Sequence, residues 1–280
     1  MSKFVTLESA ISAHLHDGDT VALEGFTHLI PFAAGQEIIR QRKKDLTAIR
    51  LTPDLLYDQL IGAGCVKKLV FSWGGNPGVG SLHRFRDAYQ NAWPRPLEIE
   101  EHTHAGMTNR YLAGASGMPF AVLRGYFGTD LVENTTNIAT IDSPFTDEKI
   151  LAVAAINPDV TIVHAQQADR NGNVMAWGII GSSREAVFAA KKVIVTVEEI
   201  VDSFEPRFNS VIYPEALITS ISLAPRGAWP SYASGYYDRD NDAYIAWDEI
   251  SKERESFTRW LDDEVYGKRV QDLTPVGMGR

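Results

Sequence analysis

A single cysteine, Cys65, is all the thiol chemistry that these 280 residues carry. One cysteine builds neither a disulfide framework nor a thiolate metal cluster. Set between Gly64 and Val66 with no activating base marked beside it, Cys65 reads as a small core residue. Long apolar runs are missing as well: none approaches the roughly 20 residues that span a bilayer, and the opening Met-Ser-Lys-Phe-Val-Thr has no signal-peptide core. A reducing cytoplasm is the expected setting. Positive charge is scarce, with 27 Lys and Arg against 36 Asp and Glu and a formal net charge of -9. That balance, without any block of like charge, argues against a nucleic-acid surface, so neither nucleic acid nor membrane is an expected partner. Internal repeats, low-complexity tracts, a P-loop and a dinucleotide fingerprint are absent too.

What is present is an ordinary globular composition, 44% apolar and 22% charged, long enough to bury a substantial core. Helical and extended patterns alternate. Helices are expected over Thr6 to His16, Ala33 to Arg42, Asp54 to Ile61 and Ser81 to Tyr89. Strands are expected over Thr20 to Leu23, Leu46 to Leu51, Lys68 to Ser72, Leu97 to Glu101, Phe120 to Leu123, Ile150 to Ala154, Val160 to His164 and Val193 to Val197. Such alternation implies an α/β protein with an open, mainly parallel sheet and helices on both faces. Residues 1–280 read as one domain. Within it, residues 126–147 form a polar, turn-rich excursion, and residues 244–280 are a helical end followed by a mobile tail from Lys268.

The run from Asp17 to Pro31 carries the strongest site signal. Asp17-Gly18 is a turn, Thr20 to Leu23 a buried strand, and Pro31 suits the first turn of the next helix. The chain therefore breaks at Glu24-Gly25-Phe26-Thr27-His28, where open α/β sheets put ligands. Gly25, Phe26, Thr27 and His28 are candidate substrate contacts, with Gly25 allowing close approach and Phe26 walling a pocket. Glu24 is either a base with a raised pKa or a carboxylate paired with Arg50 or Arg110. The loop from Trp73 to Gly80, with Gly74, Gly75 and Asn76, offers backbone N–H groups to a substrate carboxylate or forms a contact with another subunit. Glu100-Glu-His-Thr-His-Ala-Gly106 puts His102, His104 and Ala105 at a strand end. Two histidines at i, i+2 with no marked third ligand argue against a metal. His164 reads as a hydrogen-bonded structural histidine, with Gln166 and Gln167 as neutral partners at the same sheet edge.

Three segments resemble one family. The Asp-Gly, apolar strand, Gly-Phe and Pro pattern of residues 17–31 is similar to the first signature of family I coenzyme A transferases, in their A (alpha) half, with Glu24 where that signature has a glycine. Val163-His-Ala-Gln-Gln-Ala-Asp-Arg-Asn-Gly-Asn-Val174 with Trp177-Gly178, and Leu223-Ala-Pro-Arg-Gly-Ala-Trp-Pro-Ser231 with Gly235-Tyr-Tyr-Asp238, resemble later blocks of glutaconate-type and 3-oxoadipate-type alpha subunits. The resemblance implies coenzyme A as substrate, no tightly bound cofactor, and ping-pong transfer of CoA between carboxylates. It also implies a B (beta) subunit in an AB or A2B2 assembly, because the family's nucleophilic glutamate lies in a Ser-Glu-Asn-Gly segment that this chain does not contain. A ring-opening hydrolytic branch of the family carries a glutamate where Ala105 stands, which argues against that chemistry. A CoA-thioester or carbon-carbon hydrolase and a non-catalytic acyl-CoA-binding homologue are the alternatives.

Overall fold

Val21 and Leu23 point to one side of their strand and Ala22 to the other, and all three are buried. A strand apolar on both faces belongs inside a parallel sheet covered by two helical layers, and the computed structural model, which describes residues 2–76 and 79–267, has that arrangement. Its first half runs α1 (Leu7–His14), β1 (Thr20–Glu24), α2 (Phe32–Arg40), β2 (Leu46–Ile49), α3 (Leu55–Gly62), β3 (Val66–Phe71), α4 (His83–Asn91), β4 (Glu98–Glu101) and α5 (His104–Ala115). Then come β5 (Phe120–Leu123), α6 (Leu131–Asn134), β6 (Ile138–Asp142), β7 (Lys149–Ala154), β8 (Val160–Asp169), β9 (Val174–Trp177) and α7 (Ser183–Ala189). β10 (Lys192–Val201), β11 (Ser210–Tyr213), β12 (Ser220–Leu223), α8 (Asn241–Lys252), α9 (Arg254–Trp260) and a π-helical turn, Leu261–Tyr266, complete it.

Seven strands pair in parallel in the order β12, β10, β8, β1, β2, β3, β4, while β9 and β11 add on antiparallel beside the far half of β8. The chain winds outward from β1 to β4, then returns to β1's other side and winds outward through β8, β10 and β12. The winding direction therefore reverses between β1 and β8, where Glu24 sits opposite Val163. Ligand crevices form at such reversals, beyond the carboxyl ends of the strands. One face packs Val21, Leu23, Leu69 and Phe71 against residues of α1, α2, α3 and the C-terminal helices. The other packs Ala22, Ile49 and Val70 against Met107 and Tyr111 of α5 and Ala186 and Ala189 of α7. Thr6 caps α1 and Asp54 caps α3, each accepting a backbone N–H from inside its helix. Pro31 precedes α2 as its cap residue, one position earlier than the first turn.

Residues 126–147 are more than an excursion. They supply α6 and β6, and β6 pairs antiparallel with β7 in a second sheet ordered β5, β7, β6. Tyr126, Ile138, Leu151 and Val153 form its core against Ala113 of α5. The C-terminal helical end is present as two helices that break at Glu253, where the backbone turns extended. Trp247, Phe257 and Trp260 cluster there, with the Trp247 and Trp260 rings 4.8 Å apart. The tail from Lys268 lies outside the described residues. Among the described residues no helix is long and apolar enough to cross a membrane.

Candidate functional site

A cleft of about 350 Å3 opens over the carboxyl ends of four neighbouring strands. Each strand contributes the residues just beyond it: Phe26 and Thr27 after β1, Thr52 and Asp54 after β2, Trp73 after β3, His104 after β4. Phe26 and Trp73 provide apolar walls, and the threonines, Asp54 and His104 provide a few polar groups, the mixture typical of a small-molecule site.

The loop after β1 is shaped by its backbone. Gly25 has φ 156°, and a Cβ there would lie 2.7 Å from the Leu29 carbonyl oxygen, so only glycine fits. Thr27 and Leu29 both take left-handed φ values, strain that persists only where surroundings over-determine it. His28 does that work. It is fully buried; its Nδ1 donates to the Ile179 carbonyl at 2.8 Å, and its Nε2 accepts the Ser234 amide at 2.9 Å. Burial keeps its pKa below the ordinary value. His28, expected to touch a ligand, instead fastens the loop from inside, while Phe26 and Thr27 are the half-buried residues at the cleft.

Trp73 is 44% exposed and leans over the cleft. Its position depends on Gly75, where a Cβ would come within 2.6 Å of the indole. Gly74 is exposed beside it. Asn76 is buried and donates from Nδ2 to the Tyr244 carbonyl at 3.3 Å, so it anchors this loop to α8 and does not line the cleft. His104 and Ala105 open α5, both exposed, behind the Thr103 cap. His102 goes the other way: it is buried with Nδ1 2.9 Å from the Tyr126 hydroxyl and Nε2 3.0 Å from Glu100 Oε1. His102 and His104 therefore share no ligand. Burial would raise the Glu100 carboxyl, but His102, Lys68, Arg110 and Asn137 around it hold it well below the carboxylate range.

Beneath the cleft lies a buried polar knot. Arg50 is fully buried, donates to both carboxylate oxygens of Asp54 at 3.1 Å and to the Gly25 carbonyl at 2.9 Å. Glu24 is 1% exposed and accepts the Tyr111 hydroxyl at 2.7 Å. Burial pushes its carboxyl up to about 7, against the pull of Arg50, Tyr111 and the amides of Leu51 and Gly25. Neither expected ion pair forms, since Arg50 is engaged by Asp54 and Arg110 by Glu100, at 2.6 Å. Glu24 does not line the cleft, so it is no base for a bound substrate in this arrangement.

A second cluster lies within β8 and β10. His164 Nε2 meets Glu198 Oε1 at 2.7 Å and its Nδ1 meets Thr196 Oγ1 at 2.8 Å. Glu198 also accepts the Tyr237 hydroxyl at 2.6 Å and the Arg226 amide at 2.7 Å. These bonds strap residues 224–237 over the sheet end, with Ser231 Oγ donating to the Thr27 carbonyl at 2.7 Å. Gln166 brackets the Trp177 backbone, both bonds at 3.1 Å, while Gln167 is half-exposed beside Glu199 and Tyr236. Cys65 is buried, which raises its thiol to about 12 and leaves no thiolate for nucleophilic work.

The coenzyme A transferase family model matches residues 4–224. The chain belongs to the coenzyme A transferase family. It is 58% identical to the A component of the 3-oxoadipate CoA-transferase of Pseudomonas knackmussii, over 96% of this chain and 95% of that one. It is 34% identical to the A component of the glutaconate CoA-transferase of Acidaminococcus fermentans, over 100% of this chain and 93% of that one. The crystal structure of the Acidaminococcus fermentans enzyme superposes with a TM-score of 0.89 at 32% identity, covering 97% of this chain and 91% of that one. The parallel sheet and its flanking helices are therefore the transferase fold. Sequence reasoning marks the loop from Trp73 to Gly80 but picks Gly74, Gly75 and Asn76 rather than Trp73, and it misses Thr52 and Asp54 as cleft residues. The signal is available: each closely follows a strand that the apolar pattern marks.

Proposed function

We propose that this chain is the A half of a heteromeric CoA-transferase, which moves CoA from an acyl-CoA to a carboxylic acid of the 3-oxoadipate class. The observation that carries this reading is the 58% identity to the A component of a 3-oxoadipate CoA-transferase over nearly the whole of both chains. The cleft supports it by what its walls offer. The only carboxylate lining it among the described residues, Asp54, is held by Arg50 in a two-pronged ion pair and is not free to attack a thioester. The nucleophile is therefore assigned to a B subunit. Its glutamate attacks the donor thioester carbonyl, releasing CoA thiolate and forming an acyl-glutamyl anhydride. The thiolate then attacks the glutamyl carbonyl, expelling the donor acid and leaving CoA on the enzyme. The acceptor acid reverses both steps.

In this reading the cleft holds the acyl part and the acceptor acid. Phe26 and Trp73 flank the carbon chain, Thr27 and Thr52 donate hydroxyl hydrogen bonds to a carboxylate, and His104 faces its outer end. Ala105, exposed next to His104, brings no carboxylate that would activate water, which disfavours the hydrolase alternative. The test is to co-express the chain with a candidate B partner and follow acyl-CoA by mass spectrometry with and without added dicarboxylic acids. A new acyl-CoA that appears only with acid supports transfer. Free CoA released regardless of acid overturns it in favour of hydrolysis, and acyl-CoA binding without turnover overturns it in favour of a non-catalytic binder.

A further inference from the structure

The loops after β1 and β2 meet at one buried carboxyl group, and those after β3 and β4 connect to it through Leu51 and helix α5. The amides of Gly25, which begins the first loop, and of Leu51, which begins the second, lie close to the Glu24 carboxyl group and favour its ionised form. Leu51 in turn accepts Ser72 Oγ at 2.6 Å and the Ser72 amide at 3.2 Å through its carbonyl, which fixes the residue before Trp73. Tyr111, whose hydroxyl donates to Glu24 at 2.7 Å, stands on α5, the helix that begins at His104. Arg50 closes the circuit by joining the Gly25 carbonyl to Asp54. No group of this knot except Asp54 lines the cleft, so the knot acts on a ligand only through the loops it holds.

We propose that Glu24 is a positioning residue for the acyl and acceptor site: its carboxyl group holds the loops after β1, β2, β3 and β4 in the single arrangement that receives the carboxylic acid. The inference rests on the reading of the cleft as that site. Glu24 has no solvent to share a charge with. The charged and titratable groups facing it are Arg50 from the end of β2, Tyr57 from α3 and Tyr111 from α5. Arg50 is already neutralised by Asp54, and burial lifts the Glu24 carboxyl to about 7. The neutral acid is the form that suits the site, because an ionised Glu24 would set an unpaired negative charge behind a cleft that must accept an anion. An isosteric amide keeps the shape and the acceptor oxygen without the charge. Truncation to alanine leaves the Tyr111 hydroxyl without its acceptor.

The experiment measures KM for the acceptor acid and kcat from about pH 5.5 to about pH 8.5 in the chain assembled with its B subunit. The acid substrate is ionised throughout, and wild-type KM is expected to rise through about pH 7. Glu24→Gln is expected to hold the low-pH KM over the range. Glu24→Ala is expected to raise KM by about tenfold or more, the effect of losing a buried hydrogen bond. Rescue of the alanine defect by glutamine separates positioning from charge. A Glu24→Gln enzyme that keeps the wild-type rise in KM overturns the proposal, and so does a Glu24→Ala enzyme with unchanged KM. Phe26→Ala and His104→Ala test the site itself: if both leave KM for the acid unchanged, the cleft reading fails whatever Glu24 does. If they raise KM while Glu24→Gln behaves as wild type, only the role of Glu24 falls.

Discussion

Arg50→Met should be among the most damaging single substitutions in this chain that spare the apolar core. Arg50 has no contact with water, and its guanidinium satisfies both oxygens of Asp54 and the Gly25 carbonyl. Methionine fills much of the space but leaves Asp54 buried without a counter-ion, and breaking a buried pair by removing one partner costs about 3–5 kcal/mol. The orphaned Gly25 carbonyl adds about 1–3 kcal/mol, though the two are not additive because they share one side chain. A loss near 4 kcal/mol is thus expected, a large part of the roughly 5–15 kcal/mol that holds a domain together. Arg50→Met/Asp54→Asn removes both charges together and should recover more than half of it. The sign with pH follows from Asp54, whose carboxyl burial already raises against the pull of Arg50. Without Arg50 it rises further, so the variant's penalty shrinks as pH falls and grows as pH climbs through the new folded-state pKa. Urea unfolding with a constant m-value at several pH values measures this. A loss under about 1 kcal/mol, or a double variant no better than the single one, would refute the reasoning.

Asp58 gives a second pH effect. It is fully buried, accepts the Phe85 amide at 2.8 Å and Trp247 Nε1 at 3.0 Å, and burial lifts its carboxyl to about 6. Because the folded-state value lies above the unfolded one, about 3 kcal/mol of stability present below about pH 4 is lost as pH rises through about 6; Asp58→Asn should flatten that part of the urea-stability profile. Gly106→Ala would place a Cβ 1.5 Å from the Tyr126 hydroxyl, pushing the second sheet off α5; overpacking of this kind costs about 1–3 kcal/mol and should lower Tm by several degrees in a thermal melt. Gly25→Ala meets both a left-handed φ and the Leu29 carbonyl, so KM for the acid should rise more than Tm falls. Trp73→Ala, on an exposed side chain, should raise KM with Tm nearly unchanged, and an unaltered KM would remove Trp73 from the site.

Most of the sheet is legible because its strands are apolar runs between turn residues, and β1, β2, β3, β5 and β7 lie where those runs are. The strands that outgrow expectation, β8 and β10, continue past His164 and Val197 through Gln167 to Asp169 and Glu199 to Val201 because the two strands pair with each other there. Pairing with a neighbour satisfies a backbone regardless of side-chain polarity, and no local pattern reports it. Helix α5 is illegible for a different reason. Its sequence, His-Ala-Gly-Met-Thr-Asn-Arg-Tyr-Leu-Ala-Gly-Ala, holds two glycines that read as breakers. Each is a point of close approach: a Cβ at Gly114 would lie 2.0 Å from the Ile156 carbonyl, and Gly106 lies against Tyr126.

That hidden helix explains the misjudged carboxylate. The Gly25-Phe26-Thr27 turn is readable from residues alone, but His28, His102 and Asn76 pass for ligand contacts because polar residues in loops look available. Their partners, Ser234, Tyr126 and Tyr244, are distant in sequence and invisible to local reasoning. Glu24 is closer to readable. Side chains alternate along a strand, so Glu24 shares the face of Ala22, which packs with Met107 and Tyr111 of α5. Once α5 covers that face, the carboxyl group at the strand's end has to meet a helix and not a substrate. A residue there must be hydrogen-bonded, as Glu24 is by Tyr111, and burial pushes it toward neutrality against that bond.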